Sequence, residues 1–500
     1  MQKNSDSYIK GLPFSVPEKL ISEKDYREKM DSFAAMPPYS DAEDDFLSAL
    51  DEFTAQAKDM IYYHSAPAVF SGTAYYVSND GDDNADGTSP ETAWKTYKNP
   101  NEMAFKEGDA VLFRRGDVFR GMLCAKNGVT YSAYGSGPKP KLMAAYDGLT
   151  VSKWIKTEKE NVWVLEEPFT DKDIGSIEFN CGQTYAKKKL KPEDLKQNLD
   201  FFYCTDFSWA RPEGTEVNTD NRLYMYFDKG NPADYFDDIE INMCSRIITS
   251  DTGSKNITYY NLELLYGTSP IWTYDSENIV ISYCVCGWSG GILWRKAMEG
   301  RNTRYGGGVC TWHGCNNISF DHCYIYEQFD SGVTPQYHWR DETSAIYNDY
   351  KCTDCIFEGC EWTFEYFNTQ TNKKDNCFNR VIFSYNLCRK GGEGYGDKTE
   401  ESAYVKSWGH ENVCYDCEIS HNVFDRAAAI SLEVIAHAPE KRGKIVSYEH
   451  LPKMHHNTYI EPYGKQFANI NGVFYKFNES SRIALQTFGV DTESVYLFIR

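Results

Sequence analysis

Apolar and polar positions along this chain follow two periods. In residues 1–70 the apolar side chains Phe46, Leu50, Phe53, Ala57, Met60 and Ile61 recur at helical spacing, with Ser40 and Asp41 placed to cap them. This stretch reads as an N-terminal helical extension that packs on the main body as a lid or end cap. From Thr73 the pattern shortens to β-type runs, AYYVSNDG (74–81), DAVLFRRGDVF (109–119) and GVTYSAYG (128–135), separated by turn residues. Residues 145–238 keep this texture but lose any period, and read as a β-rich insertion.

Between residues 256 and 460 the pattern repeats. YYN (259–261), SYC (282–284), DHC (321–323), EGC (358–360), SYN (384–386), SHN (420–422) and HHN (455–457) end on Asn261, Cys284, Cys323, Cys360, Asn386, Asn422 and Asn457. These anchors stand 23, 39, 37, 26, 36 and 35 residues apart. Three residues before most of them is an apolar side chain: Ile281, Phe320, Phe357, Phe383, Ile419 and Met454. A 23-residue unit with insertions matches one turn of a parallel β-solenoid. An Asn at one corner of every coil can satisfy turn backbone groups of its neighbour, and Cys is a small buried substitute. The expected architecture is all-β: a solenoid over 71–460 interrupted by the 145–238 insertion, the helical extension over 1–70, and cap strands over 461–500.

Charge narrows the partners. With 52 Lys and Arg against 73 Asp and Glu, the net charge of −21 repels nucleic acid and anionic lipid. No run approaches the ~18–20 apolar residues of a membrane span. The first 20 residues lack the apolar core of a signal peptide, so the expectation is a cytoplasmic protein with reduced thiols. Aromatic residues make up 15% of the chain, which suits strands and sugar-stacking surfaces.

The run YYVSNDGDDNADGTSPETAWKTYKNPNEMAFKEGDAVLFRRGDVFRG (75–121) resembles the first coils of the right-handed parallel β-helix, or pectate-lyase-like, superfamily. TRYGGGVCTW (303–312), IYEQFDSGVTPQ (325–336), WTFEYFN (362–368) and the insertion are similar to a subgroup around glycoside hydrolase family 141. The resemblance spans about 74–460 and implies a right-handed coil and a carbohydrate-active enzyme. Two positions depart from the pattern: Cys310 stands where an acid is expected, and GEGYGDK (392–398) replaces a Gly-Trp-Gly-His-like loop.

Glycoside hydrolysis needs two carboxylates, one to protonate the leaving oxygen and one to attack or to activate water. Asp330 and Glu365 lie inside the motifs that carry the resemblance, after Phe329 and Phe364 and beside long insertions at about 295–306 and 337–351. Parallel stacking predicts them ~5–10 Å apart in one cleft, with Glu365 as the acid because aromatic neighbours flank it. Arg304, Trp312, Gln336, Trp339 and Asn368 are candidate sugar-binding residues, and Asp341, Glu342, Glu393 and His410 are further site candidates. The pairs Cys352–Cys355 and Cys414–Cys417 invite zinc, but read as core-lining thiols in one register two coils apart. Asp82, Asn84 and Asp86 follow the order of a calcium loop without its twelfth-position Glu. No cofactor is expected. The expected partner is an oligo- or polysaccharide that the protein hydrolyses. Elimination on a uronate, with Arg295, Lys296 or Arg304 as the cation, and non-catalytic sugar binding are the alternatives.

Overall fold

The computed structural model describes residues 15–203, 220–295, 303–337, 346–368, 376–397, 399–408, 412–441 and 443–499. Three long sheets, of 12, 14 and 10 strands, run along one axis, and the chain visits them in turn. One coil shows the pattern: Asn316–Asp321 lies in the first sheet, Tyr324–Gln328 in the second and Ser331–Tyr337 in the third. Each then pairs in parallel with the strand one coil on, Ile346–Thr353, Ile356–Glu358 and Trp362–Asn368. This is a parallel β-helix. Inside it, Ile281, Phe320, Cys352, Phe383, Ile419 and Met454 stack in one column, all nearly inaccessible to solvent.

Strand register corrects two anchors: Asn261 stands over Tyr283, so Leu262 and not Asn261 shares the corner of Cys284, and Cys360 is also displaced. Tyr324 pairs with Ile356, so Cys323 stands over Cys355, and Cys360 belongs to the next corner of the same coil. The corner ladder then closes without a gap. The backbone N–H of Cys323 reaches the Cys355 sulfur at 3.4 Å. That of Cys355 donates to Asn386 Oδ1 at 3.0 Å, Asn386 to Asn422 Oδ1 at 2.9 Å, and Asn422 to Asn457 Oδ1 at 3.1 Å. The Asn457 N–H ends the run on Ser494 Oγ at 3.0 Å. Each side chain thus satisfies a buried turn N–H of the preceding coil. The coils also run on past 460, since Thr458–Pro462 pairs in parallel with Val495–Ile499.

The same correction separates the two CxxC pairs. Two coils beyond Cys352 stands Ile419, while Cys414 is opposite Phe378. They therefore occupy different columns. All four thiols are buried. In the acidic turn, Asp82 accepts the Asn84 N–H, Asp86 the Thr88 N–H, and Asp83 those of Lys95 and Thr96.

The N-terminal helices α1 (Glu23–Ala34) and α2 (Asp44–Tyr62) lie along the solenoid and do not cap its end. Tyr26, Met30, Phe33, Leu50, Phe53 and Ile61 pack on an outward column of the second sheet, Val285, Tyr324, Ile356, Leu387 and Val423. That column is apolar because the helices cover it. Ser40 and Asp41 do not cap α2: they belong to a short strand, Tyr39–Asp41, paired with Val495–Ile499. The insertion builds its own five-stranded sheet, and its strands Ile174–Phe179 and Ile239–Met243 extend the second sheet antiparallel from Lys141–Asp147. None of the described helices is long and apolar enough to cross a membrane.

Just before each of these ladder positions, Tyr283, His322, Asp354, Tyr385, His421 and His456 hold left-handed φ values from 49 to 58°. Their rings stack: Tyr283 on His322 at 5.0 Å, Tyr385 on His421 at 4.6 Å, and His421 on His456 at 4.9 Å. Asp354 interrupts the aromatic run and takes the Arg27 guanidinium of α1 at 2.7 and 2.5 Å. Burial disfavours charge on His322, but Asp321 at 3.0 Å, Asp354 and Glu23 outweigh it and raise its pKa above 6.5. Its contribution to stability is therefore complete below 6.5 and is lost as pH rises through the raised value. The urea midpoint of the wild type should exceed that of His322→Gln most at pH 5.5, and the gap should narrow steadily to pH 8.5. A gap independent of pH would refute this linkage.

Candidate active site

The outer face of the third sheet carries the candidate site. In Trp362–Asn368, Phe364 and Tyr366 point into the core, so Glu365 points outward. Trp272, Cys310 and Thr334 precede it in successive strands, and Lys406, Glu433 and Asn469 follow it. The column is apolar at Trp272 and Cys310 and polar from Thr334 onward. Glu365 is only 3% exposed. Its Oε2 accepts from Thr334 Oγ1 at 3.2 Å and from Gln336 Nε2, and its Oε1 accepts from Trp408 Nε1. Lys406, one strand on, is paired with Glu433 and lies 4.5 Å from the centre of the Trp408 ring.

A carboxylate that accepts from three side chains is favoured in its charged form, and burial opposes this. The aromatic neighbours Phe364 and Tyr366 face the core and leave these polar contacts intact.

Asp330 sits at the corner before Ser331–Tyr337 and is 7% exposed. Its carbonyl accepts the Trp362 N–H at 3.2 Å, which sets Asp330 opposite Glu361. Glu365 lies four residues further, about 13 Å along the strand. The two carboxylates are thus not stacked in register as expected. They nevertheless act on shared neighbours. Burial, then Asp330 and Glu365 among the charges, push the Cys310 thiol up to about 12. Burial, Cys310 and the same two carboxylates hold the Tyr305 phenol well above its ordinary value.

Arg304 flanks Asp330. Its guanidinium lies 4.2 Å from the Phe329 ring centre, donates to the Gly291 and Gly175 carbonyls at 2.8 and 3.0 Å, and approaches Asp397 at 3.4 Å. The glycines after it explain the RYGGGV motif. Gly306 has φ of 122°, and a Cβ on Gly307 would come 2.8 Å from the Ser331 carbonyl. Only bare backbone lies this close to the Asp330 corner.

The other candidates divide. Gln336 reaches the site but is spent on Glu365. Trp312 is 6% exposed and stacks on Trp272 at 5.3 Å, so one ring face is already used. Asn368 is structural: its N–H donates to Asn412 Oδ1 at 3.0 Å, its Oδ1 accepts from Asn376 at 3.2 Å, and it is 1% exposed. Glu393 is exposed on a turn closed by its N–H to the Lys390 carbonyl. Trp339, Asp341, Glu342 and His410 fall outside the described residues. Sequence reasoning missed Thr334, Lys406 and Trp408, which become neighbours of Glu365 only through strand register.

No family model matches the sequence. A lacto-N-biosidase of Bifidobacterium longum subsp. longum is 34% identical over 109 residues, which are 20% of this chain and 7% of that protein. Among solved structures, XylC in complex with xylose is 14% identical, covering 79% of this chain and 69% of its own, with a TM-score of 0.44. A glycoside hydrolase is 10% identical over 80% of this chain and 95% of its own, with a TM-score of 0.47. A GH136 lacto-N-biosidase from Eubacterium ramulus is 13% identical over 91% and 71%, with a TM-score of 0.37. A glycosidase is thus a sequence relative of part of this chain.

Proposed function

We propose that the protein is a glycoside hydrolase acting on an uncharged oligosaccharide, with Glu365 as the ionised base or nucleophile and Asp330 as the proton donor. The observation that carries this reading is the hydrogen bonding of Glu365, a buried carboxylate that accepts from Thr334, Gln336 and Trp408, contacts that favour its charged form. Asp330 shares its neighbours Tyr305 and Cys310 and is the second carboxylate the reaction needs. Two described cations beside the carboxylates favour a neutral sugar, while a third, Arg246, lies 4.0 Å from the Trp272 ring centre. Lys406 is paired with Glu433, and Arg304 is spent on two carbonyls and Asp397. A lyase needs a cation ready to neutralise a uronate. The motifs similar to family 141 and the partial likeness to a lacto-N-biosidase also support hydrolysis.

The purified protein should be screened on aryl glycosides of xylose and lacto-N-biose, and on xylan and pectic oligosaccharides. New reducing ends or aryl alcohol without the ultraviolet absorbance of an unsaturated uronate are expected. Unsaturated product would replace hydrolysis by elimination. Saturable binding without turnover would make the protein a sugar binder.

A further inference from the structure

Tyr395 is the buried residue of the GEGYGDK loop, and the contacts of this loop converge on Phe329, the residue before Asp330. The Tyr395 ring meets the Phe329 ring edge-on at 5.6 Å, and also packs on Trp288 at 5.4 Å and on Tyr185 of the insertion at 5.9 Å. Its hydroxyl donates to the Ser289 carbonyl, the same oxygen that accepts the Phe329 N–H at 3.0 Å. The next residue, Gly396, faces the Phe329 carbonyl, which would stand 3.1 Å from a Cβ there. Asp397 then approaches Arg304 at 3.4 Å, and the Arg304 guanidinium lies 4.2 Å from the centre of the Phe329 ring. The loop thus reaches the ring, the carbonyl and the N–H acceptor of Phe329, whose side chain is fully buried. Its glycines permit this approach. A Cβ on Gly394 would stand 2.0 Å from the Gly359 carbonyl oxygen, and one on Gly396 2.2 Å from Glu361 Oε2. The Tyr395 N–H fastens the loop by donating to Glu327 Oε2 at 2.9 Å.

We propose that Tyr395 is a positioning residue for Asp330, which wedges the Phe329 corner and so fixes where the proton-donating carboxyl stands. This rests on the assignment of Asp330 as the proton donor above. Phe329 and Asp330 share one peptide bond, so a shift of the Phe329 ring and carbonyl carries the Asp330 backbone with it. Proton transfer is sensitive to such shifts, since a misplacement of about 1 Å can cost ~10²-fold in rate. The role gives the departing GEGYGDK loop a function. Its glycines admit the backbone against Gly359 and Glu361, and its tyrosine fills the space between the insertion and the Asp330 corner.

The test compares Tyr395→Ala, Tyr395→Phe and Gly394→Ala with Asp330→Asn on aryl glycosides of the sugar that gives turnover in the screen, with an ordinary and a strongly acidic phenol as leaving groups. Tyr395→Ala should lower kcat by ~10²-fold with the ordinary phenol and by much less with the acidic one, because protonation of the leaving oxygen is the step that suffers. Asp330→Asn should show the same pattern. Tyr395→Phe keeps the wedge and should stay within about threefold of wild type. Gly394→Ala lifts the loop without opening a cavity, so it should repeat the leaving-group pattern even if Tyr395→Ala folds poorly. A kcat for both Tyr395→Ala and Gly394→Ala within about twofold of wild type, while Asp330→Asn is impaired, would overturn the role of Tyr395 and leave Asp330 standing. An equal loss with both phenols, or a loss in melting temperature alone, would assign Tyr395 to structure and overturn the proposal equally. Crystal structures of wild type and Tyr395→Ala test the displacement without substrate, and an unmoved Asp330 would also overturn it. Full activity of Asp330→Asn would instead reject the underlying site.

Discussion

Glu365→Gln should lower kcat by at least ~10³-fold, about 4 kcal/mol of lost transition-state stabilisation. The reasoning starts from the three donors. Trp408 and Gln336 aim N–H groups at opposite oxygens of the carboxylate, and Thr334 adds a hydroxyl. A glutamine fills the same volume but can neither attack as an anion nor remove a proton from water. It also presents an NH₂ to one of those N–H donors, so the site repacks locally. The expected fall in melting temperature is small, because the wild-type site spends stability on keeping a charge buried. Asp330→Asn should cost a similar factor with ordinary aryl leaving groups and much less with a strongly acidic phenol, which departs without protonation. Adding azide separates the roles further: if Glu365 is the nucleophile, Glu365→Gly should regain turnover through a glycosyl azide of inverted configuration, whereas azide product from Asp330→Asn should retain configuration. Equal sensitivity of both variants to leaving-group acidity would contradict the division of labour.

The solenoid was legible because its inner columns must be apolar and its corners must satisfy turn N–H groups, and both demands recur once per coil. The misplacement at Cys360 has a physical origin. Each coil turns more than once, and the turns at Asp354 and Gly359 both need a left-handed residue followed by a small buried one, here Cys355 and Cys360. TDC and EGC therefore look alike in sequence, and only strand pairing separates them. That slip also explains the expected stacking of Asp330 and Glu365. Counted from the true corners, they lie seven residues past Cys323 and ten past Cys355, so they occupy different columns. The lengthwise packing of α1 and α2 was not legible, because an apolar stripe on a helix shows that it is covered without naming the covering face. Nor were the donors to Glu365. Thr334, Gln336 and Trp408 are 31, 29 and 43 residues from it in sequence, and only coil closure brings them together.

The largest effect on stability should come from Asn422→Ala. Asn422 is 1% exposed and works in both directions along the ladder. Its Oδ1 accepts the Asn386 N–H at 2.9 Å, and its Nδ2 donates to the Phe383 carbonyl at 2.9 Å and to Asn457 Oδ1 at 3.0 Å. Alanine removes all three bonds and leaves the Asn386 N–H and the Phe383 carbonyl buried without these partners. At ~1–3 kcal/mol for each of the two stranded groups, the loss is about 2–6 kcal/mol. The chain itself supplies the graded control, since Cys holds this corner at 284, 323 and 355, and the Cys355 sulfur accepts a turn N–H at 3.4 Å. Asn422→Cys should therefore retain the acceptor and lose only the donors, placing its denaturation midpoint between wild type and Asn422→Ala. Hydrogen exchange should localise the damage, with the Asn386 amide losing protection more than amides three coils away, because a solenoid passes strain mainly to neighbouring coils. Equal midpoints for the alanine and cysteine variants would show that an acceptor at this corner contributes nothing and would refute the ladder's role.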